Sequence, residues 1–259
     1  MSLPLHVSID MHQCDGSRIA KVSLPVSAEY VFTFLLNGSP YMTFASSGSG
    51  LESYAVGHLL GEGIIRDARD VQKVRVNEDE RTIDIIPASA KNFSAKLREL
   101  MNISAAGGCS RKRLPLKAAA RRELPAVEAR VVNRCAAEFL GFSREHELTH
   151  GVHSAALYDC AGQRLSFFDD IGRHNAVDTV IGHAAEHGFT LMEHMIFSTG
   201  RISSEITLKI IHAGAAILVS RAWPTSYAVE LARQYNLMVL CRARGNGFYI
   251  VHGKEGIVL

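Results

Sequence analysis

The sequence has no C-x-x-C pair, no long apolar run and almost no net charge, and each absence argues against a class of protein. Its five cysteines, Cys14, Cys109, Cys135, Cys160 and Cys241, are odd in number and far apart. That spacing argues against a disulfide scaffold and against a structural zinc site, and it predicts reduced thiols in a cytoplasm. No apolar stretch is long enough to span a bilayer. Met1 to Arg18 lacks a basic start followed by an unbroken apolar segment, so no secretory signal is expected. A net charge of +2 gives no global pull towards nucleic acid or a membrane surface. Internal repeats are absent as well.

What is present is an ordinary globular composition, 47% hydrophobic and 21% charged, in 259 residues, enough to bury a full core. Three parts follow from the pattern. Residues 1–103 read as an N-terminal β-rich part with one helix. Tyr30 to Leu36 and Tyr41 to Ala45 flank the turn signal Asn37-Gly38-Ser39-Pro40. Leu51, Tyr54, Ala55, His58 and Leu59 then recur at helical spacing, and Val71 to Val76 with Thr82 to Ile86 suggest a second hairpin. A short helix is expected over Phe93 to Met101. Residues 104–125 read as a mobile basic loop, punctuated by Pro115 and Pro125. Residues 126–259 alternate helix and strand, which favours an α/β domain with a mixed sheet and helices on both faces. Helices are expected over Ala126 to Leu140, Ser203 to His212 and Pro224 to Tyr235, the last with proline at its first position. Strands are expected at Val152 to Tyr158, Arg164 to Phe168, Met195 to Ser198, Ala215 to Ser220, Leu237 to Cys241 and Phe248 to Val251.

Chemistry is concentrated where strands hand over to helices. In Asp169-Asp170-Ile171-Gly172-Arg173-His174-Asn175, two carboxylates end an apolar strand and Arg and His open a helix. Capping explains an aspartate there but not the Arg-His pair behind it. Ser198-Thr199-Gly200-Arg201-Ile202-Ser203 supplies hydroxyls, a glycine and an arginine at a second junction, which suits an anion. Ser220-Arg221-Ala222-Trp223-Pro224-Thr225-Ser226 is a third. If these strands run parallel, the three loops share one sheet edge, where ligand crevices form. Leu240-Cys241-Arg242-Ala243-Arg244-Gly245 ends the next strand with two arginines and a glycine. The reactive-atom candidate is Cys109. Two glycines precede it, and Arg111, Lys112, Arg113, Lys117, Arg121 and Arg122 follow, a field that stabilises a thiolate or a persulfide anion. His146, His150, His153 and Glu147 lack the H-E-x-x-H order, so no metal is expected.

These stretches together resemble one family. Ala55-Val56-Gly57-His58-Leu59-Leu60-Gly61-Glu62-Gly63, Gly107-Gly108-Cys109, Gly151-Val152-His153-Ser154-Ala155-Ala156, Asp170 to Asp178, Ser198 to Ser203 and Pro224 to Ala232 run in the order of the formate dehydrogenase accessory protein FdhD family. The resemblance implies a cytidine-deaminase-like three-layer α/β/α domain without the deaminase zinc set. It implies a cytoplasmic homodimer that takes sulfur from a cysteine desulfurase as a persulfide on Cys109. The sulfur would pass to molybdopterin guanine dinucleotide destined for formate dehydrogenase, with a GDP-like nucleotide as a mimic of the cofactor. The cofactor stretch maps onto Leu240, Cys241, Arg242, Ala243, Arg244 and Gly245. His153, Asp170, Gly172, Arg173, His174, Arg201, Ser203, Thr225 and Ser226 are expected to line the crevice, with arginines for phosphate and a carboxylate for the guanine amino edge.

Two departures bear on the chemistry. Many members of the family carry a second cysteine three positions after the first, where this chain has Lys112. The order Arg244-Gly245 also differs from the family's usual ending of the cofactor stretch. The expected activity is a single-cysteine sulfur carrier. The alternative is a non-catalytic chaperone that binds the cofactor or a guanine nucleotide. A deaminase-type zinc hydrolase is a third reading, one that stoichiometric zinc in the purified protein would revive.

Overall fold

A computed structural model describes residues 3–89 and 123–259. The chain opens with a hairpin, β1 (His6–Cys14) and β2 (Ile19–Ser27), which the sequence reading did not assign. A four-stranded sheet follows from β3 (Tyr30–Leu36), β4 (Ser39–Ser46), β5 (Val71–Asn77) and β6 (Thr82–Pro87), with helix α1 (Leu51–Gly61) between β4 and β5. Its strand order is β4-β3-β6-β5, parallel between β3 and β6 and antiparallel elsewhere.

The second half begins with β7 (Val127–Glu128), which pairs with the closing strand β14 (Ile257–Val258). Helices α2 (Ala129–Glu138) and α3 (Arg144–Thr149) come next. Strands β8 (His153–Asp159) and β9 (Arg164–Asp170) form a hairpin, followed by α4 (Arg173–Glu186), β10 (His194–Ser198), α5 (Ser204–His212), β11 (Ile217–Ser220), α6 (Ser226–Gln234), β12 (Met238–Cys241) and β13 (Tyr249–His252). The six-stranded sheet runs β13-β12-β11-β10-β8-β9. Strands β10, β11 and β12 are parallel, β8 opposes β10, and β9 opposes β8. Strand β9 therefore points the same way as β10, β11 and β12.

Alternation along these strands builds two cores. Ala155, Leu157, Ile196, Leu218 and Val239 face α4, α5 and α6, in a cluster that continues through α1 to Phe32, Phe34, Ile83 and Ile85 of the N-terminal sheet. Ala156, Tyr158, Met195, Phe197, Ile217, Val219 and Leu240 face α2 through Val131, Val132, Cys135 and Phe139. Strands covered on both faces read as apolar runs with no polar side, which is why their alternation is invisible in the sequence. The result is a three-layer α/β/α unit whose front helices also carry the smaller sheet.

Helices α1 and α4 approach until their backbones touch. A Cβ on Gly57 would lie 1.7 Å from the Asp178 carbonyl oxygen, and one on Gly182 would lie 1.8 Å from that of Ser53. Only glycine permits this crossing.

Three expected boundaries shift. The helix expected from Ala126 starts at Ala129, because Val127 and Glu128 extend to pair with β14, and it passes into a 3-10 turn at Phe139–Phe142. The helix expected from Pro224 starts at Ser226. Thr225 is its N-cap, accepting from the Ala228 N–H, while Pro224 bridges Ile202 in extended backbone. The strand expected from Ala215 begins at Ile217. The helix expected over Phe93 to Met101 lies outside the described residues.

Candidate functional site: an arginine cleft at one sheet edge

The shared direction of β9, β10, β11 and β12 brings their C-terminal ends to one edge, as the three junctions required. The N-termini of β8 and β13 reach the same edge. Backbone bonds lock the loops together there. The Arg221 N–H donates to the Ser198 carbonyl at 3.1 Å, Ala243 to Ser220 at 3.0 Å, and Ile202 to Trp223 at 3.1 Å. The Ser220 hydroxyl donates to the Gly200 carbonyl at 2.7 Å. Hydroxyls cap two of the helix starts, Ser203 for α5 and Thr225 for α6.

Between these loops opens a cleft of about 390 Å³. Four arginines line it: Arg201, Arg221, Arg242 and Arg244. Leu140, His146, Thr199, Ala222 and Trp223 complete the wall. No carboxylate is among the lining residues. None of the four arginines has a carboxylate within ion-pair distance among the described residues. Burial, and after it the Arg244 charge, pulls the Arg221 guanidinium below its ordinary pKa. Like charges held together without counter-ions make an anion site, and a bidentate guanidinium fits a phosphate.

The predicted site residues divide. Arg201, Arg242 and Arg244 enter the cleft. Leu240, Cys241 and Ala243 do not: all three are buried, so the cofactor stretch serves the core through them and reaches the cleft only through its arginines. Gly245 turns left-handed at φ 92° against Ala137. Ser203 and Thr225 spend their hydroxyls on helix caps, Ser226 is exposed beside the second cap, and none of the three lines the cleft. Thr199, His146, Arg221 and Trp223 join the lining without having been singled out, although the junction Ser220 to Ser226 contained two of them.

The Asp169-Asp170 pair turns out to be structural. Asp170 is 3% exposed and does not line the cleft. Its carboxylate accepts from the Ser46 hydroxyl at 2.6 Å, the Gly172 N–H at 2.8 Å and the Asn175 amide at 2.8 Å. It thus ties the lead-in of α1 to the start of α4. Asp169 accepts from the hydroxyls of Ser154 at 2.6 Å and Ser143 at 2.7 Å. Burial raises the pKa of both carboxyls despite those donors. With both carboxylates occupied, neither is available to the guanine amino edge.

The residues behind Asp170 sit nearer the edge. Gly172 precedes α4 without a side-chain cap. The stem of Arg173 lies on Gly200, where an added Cβ would fall 2.8 Å from the Arg173 Cβ, and its Nε is buried without a hydrogen-bond partner among the described residues. His174 lies 3.2 Å from Glu205. The Nδ1 of His153 lies 3.1 Å from the Thr199 hydroxyl. Burial, then the Arg173 charge, pushes the pKa of both His153 and His174 down.

Cys109 and the basic run from Arg111 to Arg122 lie outside the described residues. Four guanidinium groups in a wall with no described carboxylate make a donor set suited to an anion. No described helix is long and apolar enough to cross a membrane.

Comparison with known proteins points in one direction. A model of the FdhD/NarQ family matches residues 27–258. A protein of Listeria monocytogenes named sulfur carrier protein FdhD is 30% identical over 252 residues, covering 94% of this chain and 95% of that protein. A protein of the same name from Methanothermobacter thermautotrophicus is 30% identical over 263 residues, covering 99% and 100%. The crystal structure of a protein from Desulfotalea psychrophila, described as a formate dehydrogenase accessory protein, superposes with a TM-score of 0.81. It covers 98% of this chain and all of that one at 21% identity, which is a likeness of fold.

Proposed function

Since the chain belongs to the FdhD/NarQ family, we propose that it is a sulfur carrier that passes persulfide sulfur from a cysteine desulfurase to molybdopterin guanine dinucleotide, in support of a formate dehydrogenase. The single observation that carries this reading is the cleft of four arginines without an acid at the C-terminal edge of the sheet. Those arginines bind the phosphates of the cofactor, which is cargo here and not a resident group. Arg173 adds a buried donor behind them.

The carrier atom in this reading is the Cys109 sulfur. As a thiolate it attacks the terminal sulfur of the desulfurase persulfide. A new S–S bond forms on Cys109, the donor's S–S bond breaks, and the desulfurase cysteine leaves as a thiolate. The six cations that follow Cys109 favour the thiolate and the persulfide anion alike. Cys109 returns to its thiolate when a nucleophilic centre of the cofactor attacks the terminal sulfur with its own electron pair: the bond to that centre forms, and the Cys109 S–S bond breaks with its pair left on Cys109. In this reading the protein works in the cytoplasm as a homodimer.

Lys112 favours a second reading. It stands where a second cysteine is common, so no cysteine-to-cysteine relay exists within the loop. A cofactor-binding chaperone needs the cleft and not Cys109. Mass spectrometry after incubation with a desulfurase and cysteine separates the two readings. The carrier gains one reductant-labile sulfur on the Cys109 peptide and the Cys109→Ser variant gains none. An unmodified wild type beside an active desulfurase would leave the chaperone.

A further inference from the structure

We propose that Trp223 is the stacking face for the fused heteroaromatic ring of an anionic ligand, and that Arg242 covers this face until the ligand arrives. The inference rests on the reading of the cleft as a nucleotide-phosphate site, and it adds how the base is held.

The chain has one tryptophan, and it is 52% exposed in the cleft wall. A ring of that size ordinarily contributes to a core, so its exposure at an anion site is informative. Its position is rigid. The Ile202 N–H donates to the Trp223 carbonyl, the Thr225 N–H returns to Ile202 at 2.9 Å, and the Arg242 N–H reaches Ala222 at 3.3 Å. The indole is therefore presented by bonds between three neighbouring junctions.

The guanidinium of Arg242 lies over the indole, 5.5 Å from its centroid. The Tyr249 ring supports it from another side at 5.1 Å, tilted by 42°. Arg242 itself is left-handed, with φ 55°, an uncommon state for a residue other than glycine. A half-exposed cation–π contact is weak. A ligand ring takes over the indole face with a larger contact, and the released guanidinium joins Arg201, Arg221 and Arg244 at the phosphates. One residue thus guards an apolar face before binding and pairs with an anion afterwards.

The wall also dictates how the base is read. No carboxylate lines the cleft, and Asp169 and Asp170 are occupied by internal donors. No described carboxylate is placed to read the base edge, so the ring is held by its face. Stacking tolerates any base because every base has a π-face. Guanine and adenine diphosphates should then bind alike.

The test is calorimetric titration of the full chain with inorganic pyrophosphate, GDP and ADP, for wild type, Trp223→Leu and Trp223→Phe. Both nucleotides should bind wild type about tenfold more tightly than pyrophosphate, the size of one ring stack. Both should quench the single tryptophan's fluorescence. Trp223→Leu should bring both nucleotides to the level of pyrophosphate measured on the same variant, and Trp223→Phe should keep most of the difference. An advantage of GDP that survives Trp223→Leu overturns the stack. So does ADP binding no better than pyrophosphate while GDP binds tightly, since that is reading by the base edge. Failure of all three ligands to bind wild type removes the cleft reading itself, and the stack with it.

Discussion

Two regions of the molecule gather charge in opposite ways. On the front of the six-stranded sheet, where α1, α4 and α5 meet, Lys209 is buried at 5% exposure. Its ammonium lies 2.8 Å from Asp178 and 3.0 Å from Glu62, and His58 adds a third contact to Asp178 at 3.2 Å. Burial alone would lower the lysine pKa, but the two carboxylates outweigh it and raise it. At the sheet edge, four arginines meet with no acid among them. The first cluster pairs its cation with carboxylates inside the fold and is therefore structural. The second holds charge that no described carboxylate compensates. Charge balance, more than the number of charged residues, separates a support from a site.

The largest effects should come from breaking the buried region. Gly57→Ala places a Cβ against the Asp178 carbonyl and forces α1 away from α4. Loss of soluble protein is expected, and expression at reduced temperature with circular dichroism checks it. Lys209→Met comes next. It leaves Asp178 buried without the lysine ammonium, which costs on the order of 3–5 kcal/mol. Urea unfolding would read this as a lower midpoint at an unchanged slope. A midpoint within error of wild type would mean that water already compensates that carboxylate.

The contrast also shows what the sequence disclosed. The three junctions were legible because strand, loop and helix start follow one another locally, and their convergence needed only the parallel direction of four strands. Arg201 belongs to one of these junctions, whereas Arg242 and Arg244 came with the stretch that follows β12. Asp170 was misplaced because its role depends on Ser46, more than a hundred positions away, and no local signal shows that hydrogen bond. Leu240, Cys241 and Ala243 came with a motif, but strand alternation and the tight turn after β12 bury them. Trp223 and His146 were missed for the reverse reason, since an aromatic ring and a histidine look the same in a core as in a cleft wall. The burial of Lys209 follows from a three-helix contact that no sequence pattern displays.

Removing a cation should have the opposite sign in the cleft. Arg244→Gln relieves its repulsion with Arg221 and touches no described carboxylate. Its Tm should hold or rise by about 1 °C, whereas Lys209→Met lowers Tm. Pyrophosphate affinity should fall about tenfold, as for the loss of one charge-assisted hydrogen bond. Added salt should weaken wild type more steeply than the variant. A Tm that falls as it does for Lys209→Met would place Arg244 among the structural charges and dissolve the distinction.

The smallest effect sharpens the comparison through pH. His153 and His174 border the arginine edge, and burial followed by the Arg173 charge lowers the pKa of each. The unfolded chain therefore binds protons more readily than the native one between their lowered values and the ordinary 6.5. Stability from these groups is complete above about pH 6.5 and is lost as pH falls through the lowered pKa values. Thermal unfolding between about pH 5 and pH 7.5 should show Tm rising with pH, and the double variant His153→Gln, His174→Gln should flatten part of that slope. A phosphate ligand supplies the missing negative charge beside Arg173, so saturating pyrophosphate should flatten it too. If the slope persists with ligand bound, the histidines sense only burial, and the charge of the cleft does not reach them.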